Sequence, residues 1–82
     1  MNKRKLLEKI LRSPHNVSFS DLTLLAEAFG FVLSRTTGSH HIYSHPTTPK
    51  LLNLQNQKGK AKPYQVRQFL KLIEEYNLTL EE

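Results

Sequence analysis

The spacing of the apolar residues changes twice along this chain, and that change restricts the folds open to it. Apolar residues recur at intervals of three and four, the period of a helix, up to Ser13, from Ser18 to Gly30 and again after Pro63. Between Gly30 and Pro63, short β-branched and aromatic runs alternate with turn residues, as is typical of strands. The predicted order is helix, helix, three antiparallel strands, helix. With 82 residues there is room for one small domain, so we expect an α+β fold with its helices packed on one face of the sheet.

Local signals mark the ends of the first two helices. The first helix should stop before Ser13-Pro14, because the residue before a proline disfavours the helical conformation. Ser18 and Asp21 are spaced as in a capping box, which predicts that the second helix begins at Ser18. Gly30 then follows the last periodic residue, where glycine commonly ends a helix. The predicted buried stripe of this helix comprises Phe19, Leu22, Leu25, Ala26 and Phe29.

The closing helix begins at Pro63, a residue that suits the first turn of a helix. Its apolar face is predicted to comprise Val66, Phe69, Leu70, Ile73 and Tyr76. We place Gln65 among the outer residues of this helix and interpret Tyr64 and Tyr76 as packing residues.

Three strands are predicted between the second and the last helix. The first covers residues 31–36, and Thr37-Gly38 is a plausible tight turn into a second strand from Ser39 to His45. The segment 46–49 is predicted to be a turn, because its two prolines are incompatible with a central strand. The third strand is predicted from Leu51 to Gln55.

The charge of the chain indicates an anionic partner. No Asp or Glu occurs from Ala28 to Ile73, and the formal net charge of the whole chain is +5. The basic residues inside this acid-free segment are Arg35, Lys50, Lys58, Lys60, Lys62, Arg67 and Lys71. Nucleic acid, an acidic protein and a phospholipid surface all fit this charge. The absence of cysteine excludes thiolate chemistry, and the apolar runs are too short to span a membrane, so we expect a cytoplasmic protein without a cofactor.

Three of the four histidines fall within residues 40–45, on the predicted second strand. Ile42 is the only aliphatic residue of that strand, so we expect it to face the helices. Its alternates His41, Tyr43 and His45 are then predicted to lie on the open face, and His40 at the edge of the core.

Three interpretations of the histidine cluster remain open. The residues can be ordinary surface or edge histidines, or they can bind a metal, or they can perform metal-free acid-base chemistry on RNA. Metal binding is disfavoured because His41 and His45 would lie about 13 Å apart along a strand, whereas zinc ligands converge on bonds of about 2 Å. Acid-base chemistry fits RNA, which carries a 2′-hydroxyl nucleophile beside each scissile phosphate.

The segment around Lys58, Lys60 and Lys62 has two interpretations. Runs of lysine are commonly solvated surface. Here they adjoin the start of the closing helix, whose free N–H groups and dipole favour phosphate. Contact with a nucleic-acid backbone is therefore the preferred interpretation.

A short motif at the second strand carries a resemblance to a known family. The motif is Gly38-Ser39-His40-His41-Ile42-Tyr43. It follows the helix end Ala26-Glu27-Ala28-Phe29-Gly30-Phe31 and precedes the Lys58-Gly59-Lys60 loop with its helix. Over about residues 18–78 of the single domain 1–82, this pattern resembles the HicA toxin family of bacterial toxin-antitoxin systems. Residues 1–17 form a helical extension outside that core, and the sequence leaves open whether it packs, binds the antitoxin or contacts RNA.

The resemblance implies a double-stranded-RNA-binding-domain-like fold and an mRNA interferase that cleaves RNA without metal. It also implies a HicB-like antitoxin that covers the active site, and it maps the catalytic histidine onto His41. We expect His41 to be the general base and Arg35 to contact RNA together with the three lysines. The proton donor to the leaving oxygen stays open among Tyr43, His45, a lysine and water, with Ser39 and His40 as further supporting candidates. A non-catalytic RNA-binding module is the alternative function.

Overall fold

The computed structural model describes residues 2–81. In this range, three helices and one three-stranded antiparallel sheet make up the fold. The helices are α1 (Lys3–Arg12), α2 (Phe19–Ala28) and α3 (Pro63–Glu75), and the strands are β1 (Val32–Thr37), β2 (His40–His45) and β3 (Thr48–Gln55). The strands are ordered β1-β2-β3 in space, so β2 is central. This arrangement confirms the predicted α+β fold of the double-stranded-RNA-binding-domain type with an extra N-terminal helix.

The helix boundaries follow the local signals in the sequence. The Ser18 hydroxyl accepts a hydrogen bond from the backbone N–H of Asp21 at 3.1 Å, which caps α2. Gly30 follows α2 with φ +96°, a left-handed conformation that favours glycine. Pro63 is the first residue of α3, as predicted.

The core lies between the sheet and the helices. It contains the whole predicted stripe of α2, together with Leu52 and Leu54 of β3 and Val66, Phe69 and Leu72 of α3. Leu6 and Ile10 of α1 belong to the same cluster. The N-terminal helix therefore packs as part of the core, and Lys9 of α1 also lies 3.6 Å from the Asp21 carboxylate.

Helix α3 lies antiparallel to β3 and is attached to that strand at both ends. At its start, the Gln65 side chain accepts a hydrogen bond from the Gln55 backbone N–H at 2.8 Å. At its end, the Glu75 carboxylate pairs with Lys50 at 3.3 Å. The prediction that Gln65 faces solvent was wrong, because this residue is only 3% exposed. Its amide is buried since it satisfies the last N–H of β3.

Tyr64 and Tyr76 differ from each other in burial. Tyr76 packs against the core, as predicted. Tyr64 is 54% exposed, so its interpretation as a packing residue was wrong. It precedes Gln65 on α3 and is directed away from the core that Gln65 enters.

The third strand begins earlier than predicted. Thr48 and Pro49 belong to β3, and only Pro46-Thr47 forms the turn after β2. A proline is tolerated there because β3 is an edge strand, where a missing N–H costs no ladder hydrogen bond.

The predicted orientation of the second strand was wrong. Tyr43 is 3% exposed and belongs to the core, so it faces the helices. His41 and His45 share its side of the strand, because side chains alternate along a strand. Ile42 and His40 consequently lie on the open face, where His40 Nδ1 is 3.1 Å from the Asn53 side-chain oxygen. Tyr43 displaces Ile42 from the core because its ring buries a larger apolar area while its hydroxyl reaches Thr23 on α2.

Candidate active site

His41 lies near the start of β2, at the edge of the helix-covered side. Its ring packs against that of Phe19, the first residue of α2, with centroids 4.8 Å apart. The Nδ1 atom is 3.3 Å from the backbone carbonyl oxygen of Ser39. A carbonyl can only accept, so this contact requires the proton on Nδ1 and leaves the lone pair of the neutral ring on Nε2. With Nδ1 donating to the carbonyl, the neutral form of the half-buried His41 ring would present its lone pair on Nε2, as a general base needs.

The Ser39 carbonyl connects His41 to the lysine-rich segment. Besides the His41 ring, it accepts a hydrogen bond from the backbone N–H of Asn56 at 2.9 Å. The Asn56 side-chain oxygen in turn accepts from the Gly59 N–H at 2.7 Å. One chain of hydrogen bonds therefore runs from the candidate base into the segment that carries the lysines.

Residues 56–62, here named the basic hairpin, form a defined turn. Gln57 and Lys60 exchange two backbone hydrogen bonds of 3.0 Å around the tip residues Lys58 and Gly59. Both tip residues have positive φ, 52° and 84° respectively, as in the type I′ turns of tight hairpins. Glycine suits this conformation, whereas Lys58 adopts it at a steric cost.

The basic hairpin is fixed to the start of α2. The Phe19 N–H donates to the Gly59 carbonyl at 2.9 Å, and the Ala61 N–H donates to the Val17 carbonyl at the same distance. Phe19 is also the residue on which the His41 ring packs. The hairpin and His41 therefore share one anchor and lie at the same end of the molecule.

The three lysines of the hairpin have different surroundings. Lys60 Nζ donates to the Asn16 side-chain oxygen at 3.2 Å, and Lys58 is exposed at the tip. Lys62 occupies the N-cap position of α3 and caps it with no side-chain hydrogen bond. Its ammonium lies 5.9 Å from the ring centroid of Tyr64. Positive charge and the start of α3 thus coincide in the basic hairpin, a combination that attracts phosphate.

A comparison with known protein families gives a match. The family described as HicA toxin of bacterial toxin-antitoxin matches residues 19–74, from the first residue of α2 almost to the end of α3. The chain belongs to the HicA toxin family. Searches of the curated proteins and of the solved structures gave no match. HicA membership assigns a toxin role and implies a cognate antitoxin as partner, and α1 lies outside the matched region.

In this HicA toxin, the polar atoms of two candidate supporting residues, His45 and Tyr43, are engaged in hydrogen bonds within the fold. His45 Nε2 lies 2.9 Å from the Phe29 carbonyl, and its Nδ1 accepts from the Thr47 N–H at 3.1 Å. Both ring nitrogens of His45 are therefore occupied, at the opposite end of β2 from His41. Burial raises the pKa of the Tyr43 hydroxyl, the nearby Glu27 carboxylate raises it further, and a hydrogen bond with Thr23 lowers it. The Tyr43 hydroxyl is thus directed at α2.

His40 and Arg35 lie on the opposite face of the sheet from His41. Arg35 pairs with Ile42 across β1 and β2, and His40 contacts Asn53. Hydrogen bonds and the shared contact with Phe19 connect His41 and Ser39 to the backbone of the basic hairpin, but Arg35 and His40 do not belong to that group. Within residues 2–81, no three His, Cys, Asp or Glu side chains converge as a metal site would require. No helix in that range has the length and apolar character to span a membrane.

Sequence reasoning missed the surroundings of three residues around the candidate site. Phe19 was assigned only to the core, Asn56 only to a loop and Tyr64 only to packing. The Lys58-Gly59 pair between two short polar runs is a usable signal for a tight hairpin, and it predicts that Asn56 stabilises the turn. Nothing in the sequence alone indicates that Phe19 supports the His41 ring.

Proposed function

We propose that this HicA toxin is a metal-independent endoribonuclease that cleaves mRNA in the cytoplasm, with His41 as general base. The observation that carries the proposal is the Ser39 carbonyl at 3.3 Å from His41 Nδ1, which leaves Nε2 of the neutral ring available as acceptor, while the same carbonyl is connected through Asn56 to the basic hairpin. A general base must be neutral, oriented and within reach of the proton that it removes. The Phe19 ring and the Ser39 carbonyl supply the orientation.

In the proposed reaction, His41 Nε2 accepts the proton of a ribose 2′-hydroxyl. The 2′-oxygen then forms a bond to the adjacent phosphorus while the bond from phosphorus to the 5′-oxygen breaks. The products are a 2′,3′-cyclic phosphate and a 5′-hydroxyl, and the leaving oxygen takes its proton from a hairpin lysine or from water. His45 and Tyr43 are poor donors, because their polar atoms are engaged with Phe29, Thr47 and Thr23.

The basic hairpin is proposed to hold the scissile phosphate. Lys58, Lys60 and Lys62 provide the charge, and the start of α3 adds backbone N–H groups. Acid-base catalysis by one residue contributes about 10²–10⁴-fold, and no carboxylate orients the His41 ring within the described residues. We therefore expect a slow ribonuclease, which suits a toxin that is controlled by its antitoxin.

Cleavage of an end-labelled, unstructured RNA in EDTA tests the proposal. We expect cleavage at an unchanged rate, products with 5′-hydroxyl ends and no cleavage of the all-2′-deoxy analogue. Loss of activity in EDTA that is restored by a divalent ion, or products with 5′-phosphate ends, would contradict the mechanism. Binding of RNA without cleavage by freshly purified, antitoxin-free protein would instead support the alternative of a non-catalytic RNA-binding module.

A cognate antitoxin is proposed to inhibit by covering His41 and the basic hairpin. The positive charge of this region fits an acidic surface on the antitoxin. Competition between the antitoxin and RNA for the toxin, measured with the inactive His41→Ala variant, tests this arrangement.

A further inference from the structure

Tyr64 is the only exposed Phe or Tyr side chain among the described residues. The sequence has four phenylalanines and three tyrosines, and all four phenylalanines are buried. Tyr43 is buried and Tyr76 packs against the core, whereas Tyr64 is 54% exposed. Isolated exposed apolar side chains are common, so exposure alone does not make Tyr64 functional.

The position of Tyr64 supplies the second observation. It lies in the first turn of α3, directly after the basic hairpin, and the Lys62 ammonium lies 5.9 Å from its ring centroid. The next residue, Gln65, fixes this turn to Gln55 through a part-buried hydrogen bond of 2.8 Å. Gln55 follows Leu54, the cross-strand partner of His41, so a rigid connection joins the Tyr64 turn to the candidate base.

We propose that Tyr64 is a stacking platform for one unpaired nucleobase of the RNA substrate. The inference rests on the proposed function in taking RNA as the ligand. An aromatic face binds any base, because every base has a π-surface, and such stacking is typical of proteins that bind single strands. Lys62 next to the ring then contacts the phosphate of the stacked nucleotide. Bases inside a duplex are already stacked on each other, so Tyr64 selects unpaired segments of RNA.

A tryptophan at this position gives a direct signal, because the natural sequence contains none. In the His41→Ala background, which prevents cleavage, Tyr64→Trp is titrated with an unstructured oligoribonucleotide. We expect quenching of the indole emission on binding. The same oligonucleotide with abasic riboses should bind with little quenching, and a fully paired duplex should also leave the emission unchanged. Equal quenching by the abasic oligonucleotide would overturn the proposal.

Affinity provides an independent measurement. In the same background, Tyr64→Leu should weaken binding of the unstructured RNA by about 5- to 150-fold, the contribution of one stacked base. Tyr64→Phe retains the ring and is the matched control, with affinity close to that of the parent. The affinity for duplex RNA should not change in either variant. Unchanged binding of unstructured RNA by Tyr64→Leu would overturn the proposal. The same holds if this variant binds the antitoxin more weakly but binds RNA as before.

The outcomes separate this inference from the proposed function. If cleavage depends on His41 but RNA binding does not depend on Tyr64, the stacking proposal is contradicted and the ribonuclease proposal is supported. RNA binding that requires Tyr64, in a wild-type protein that cleaves no RNA, would support the platform and contradict the ribonuclease.

Discussion

The rings of His41 and Phe19 are in contact, with centroids 4.8 Å apart and planes tilted by 56°. Phe19 begins α2, and its backbone N–H also holds the basic hairpin through the Gly59 carbonyl. The candidate base is therefore part of the packing that joins a helix, a strand and the hairpin. Any test of its chemistry must separate loss of the imidazole from loss of the ring contact.

Substitutions of His41 can make that separation. We expect His41→Ala to lower the cleavage rate by at least about 10²-fold, the lower range for removal of a general base. It should also lower the free energy of unfolding by about 0.5–1.5 kcal/mol through loss of the aromatic pair. His41→Phe keeps a ring against Phe19, so it should recover stability without recovering activity. Cleavage assays and urea denaturation measure the two effects, and a His41→Phe variant that cleaves RNA would refute the assignment.

The basic hairpin should set the salt dependence of RNA binding. Replacing Lys58, Lys60 and Lys62 together by Gln is expected to weaken binding and to flatten its dependence on salt. Each lost phosphate contact removes about 0.7 from the log-log slope on single-stranded RNA and about 0.9 on a duplex. Fluorescence anisotropy at several salt concentrations measures this slope.

A second triple variant controls for net charge. Lys50, Arg67 and Lys71 line a groove between β3 and the outer side of α3, and their replacement by Gln removes the same charge from another surface. Its salt slope should stay near that of the wild type. Equal flattening in the two variants would mean that RNA responds to overall charge and not to the hairpin.

Gln65 should contribute to stability although it is polar. Gln65→Leu leaves the N–H of Gln55 without its partner, and an unsatisfied buried donor costs about 1–3 kcal/mol. Gln68→Leu, on the exposed side of the same helix, should change the free energy of unfolding by less than about 0.5 kcal/mol. Chemical denaturation of the two variants tests the difference. A Gln65→Leu variant as stable as the wild type would show that the hydrogen bond contributes nothing.

Tyr43 should affect stability at alkaline pH. Its pKa is raised above the ordinary value of 10.0 by burial and by Glu27, so the unfolded chain loses this proton first as the pH rises. The corresponding stabilisation is fully present below pH 10.0 and is lost as the pH rises through the folded pKa. We expect Tyr43→Phe to lose less stability than the wild type across that window, while still cleaving RNA. Denaturation curves from pH 8 to 11 measure the effect. Equal losses of stability in the wild type and in Tyr43→Phe would contradict the prediction.

Much of the fold was predictable because its signals are local. The Ser18 cap, the apolar stripe of α2 and the start of α3 at Pro63 each depend on neighbouring residues. Local signals did not determine the orientation of β2, because Ile42 and Tyr43 can each fill a position in the core. The neighbouring strand β3 indicates the correct orientation of β2. Leu54 and Leu52 of β3 pair with His41 and Tyr43, and both leucines face the helices. Hydrophobicity within β2 alone was therefore the wrong criterion.

In the candidate site, too, some features were predictable from local sequence and others depend on the packed structure. His41 and the three lysines were proposed as site residues from residue type and motif, but the reason given for the exposure of His41 was incorrect. The side chain lies on the helix-covered side and is half-buried at the end of the sheet, against Phe19. Contacts between distant segments, such as Asn56 with Ser39 and Gln65 with Gln55, depend on the packed structure. No spacing rule within one segment predicts them.

The two attachments of α3 to β3 differ in physical character, so the two ends of the helix should differ in local stability. The buried amide contact of Gln65 is insensitive to ionic strength, whereas the exposed Lys50–Glu75 pair is weakened by salt. Fraying of α3 should therefore begin at Glu75 and stop before the turn that carries Tyr64. In concentrated salt, hydrogen exchange is expected to accelerate in the last turn of α3 and to stay slow in the amides that follow Gln65. The end of the helix beside the proposed RNA site should thus keep its geometry under conditions that loosen the other end.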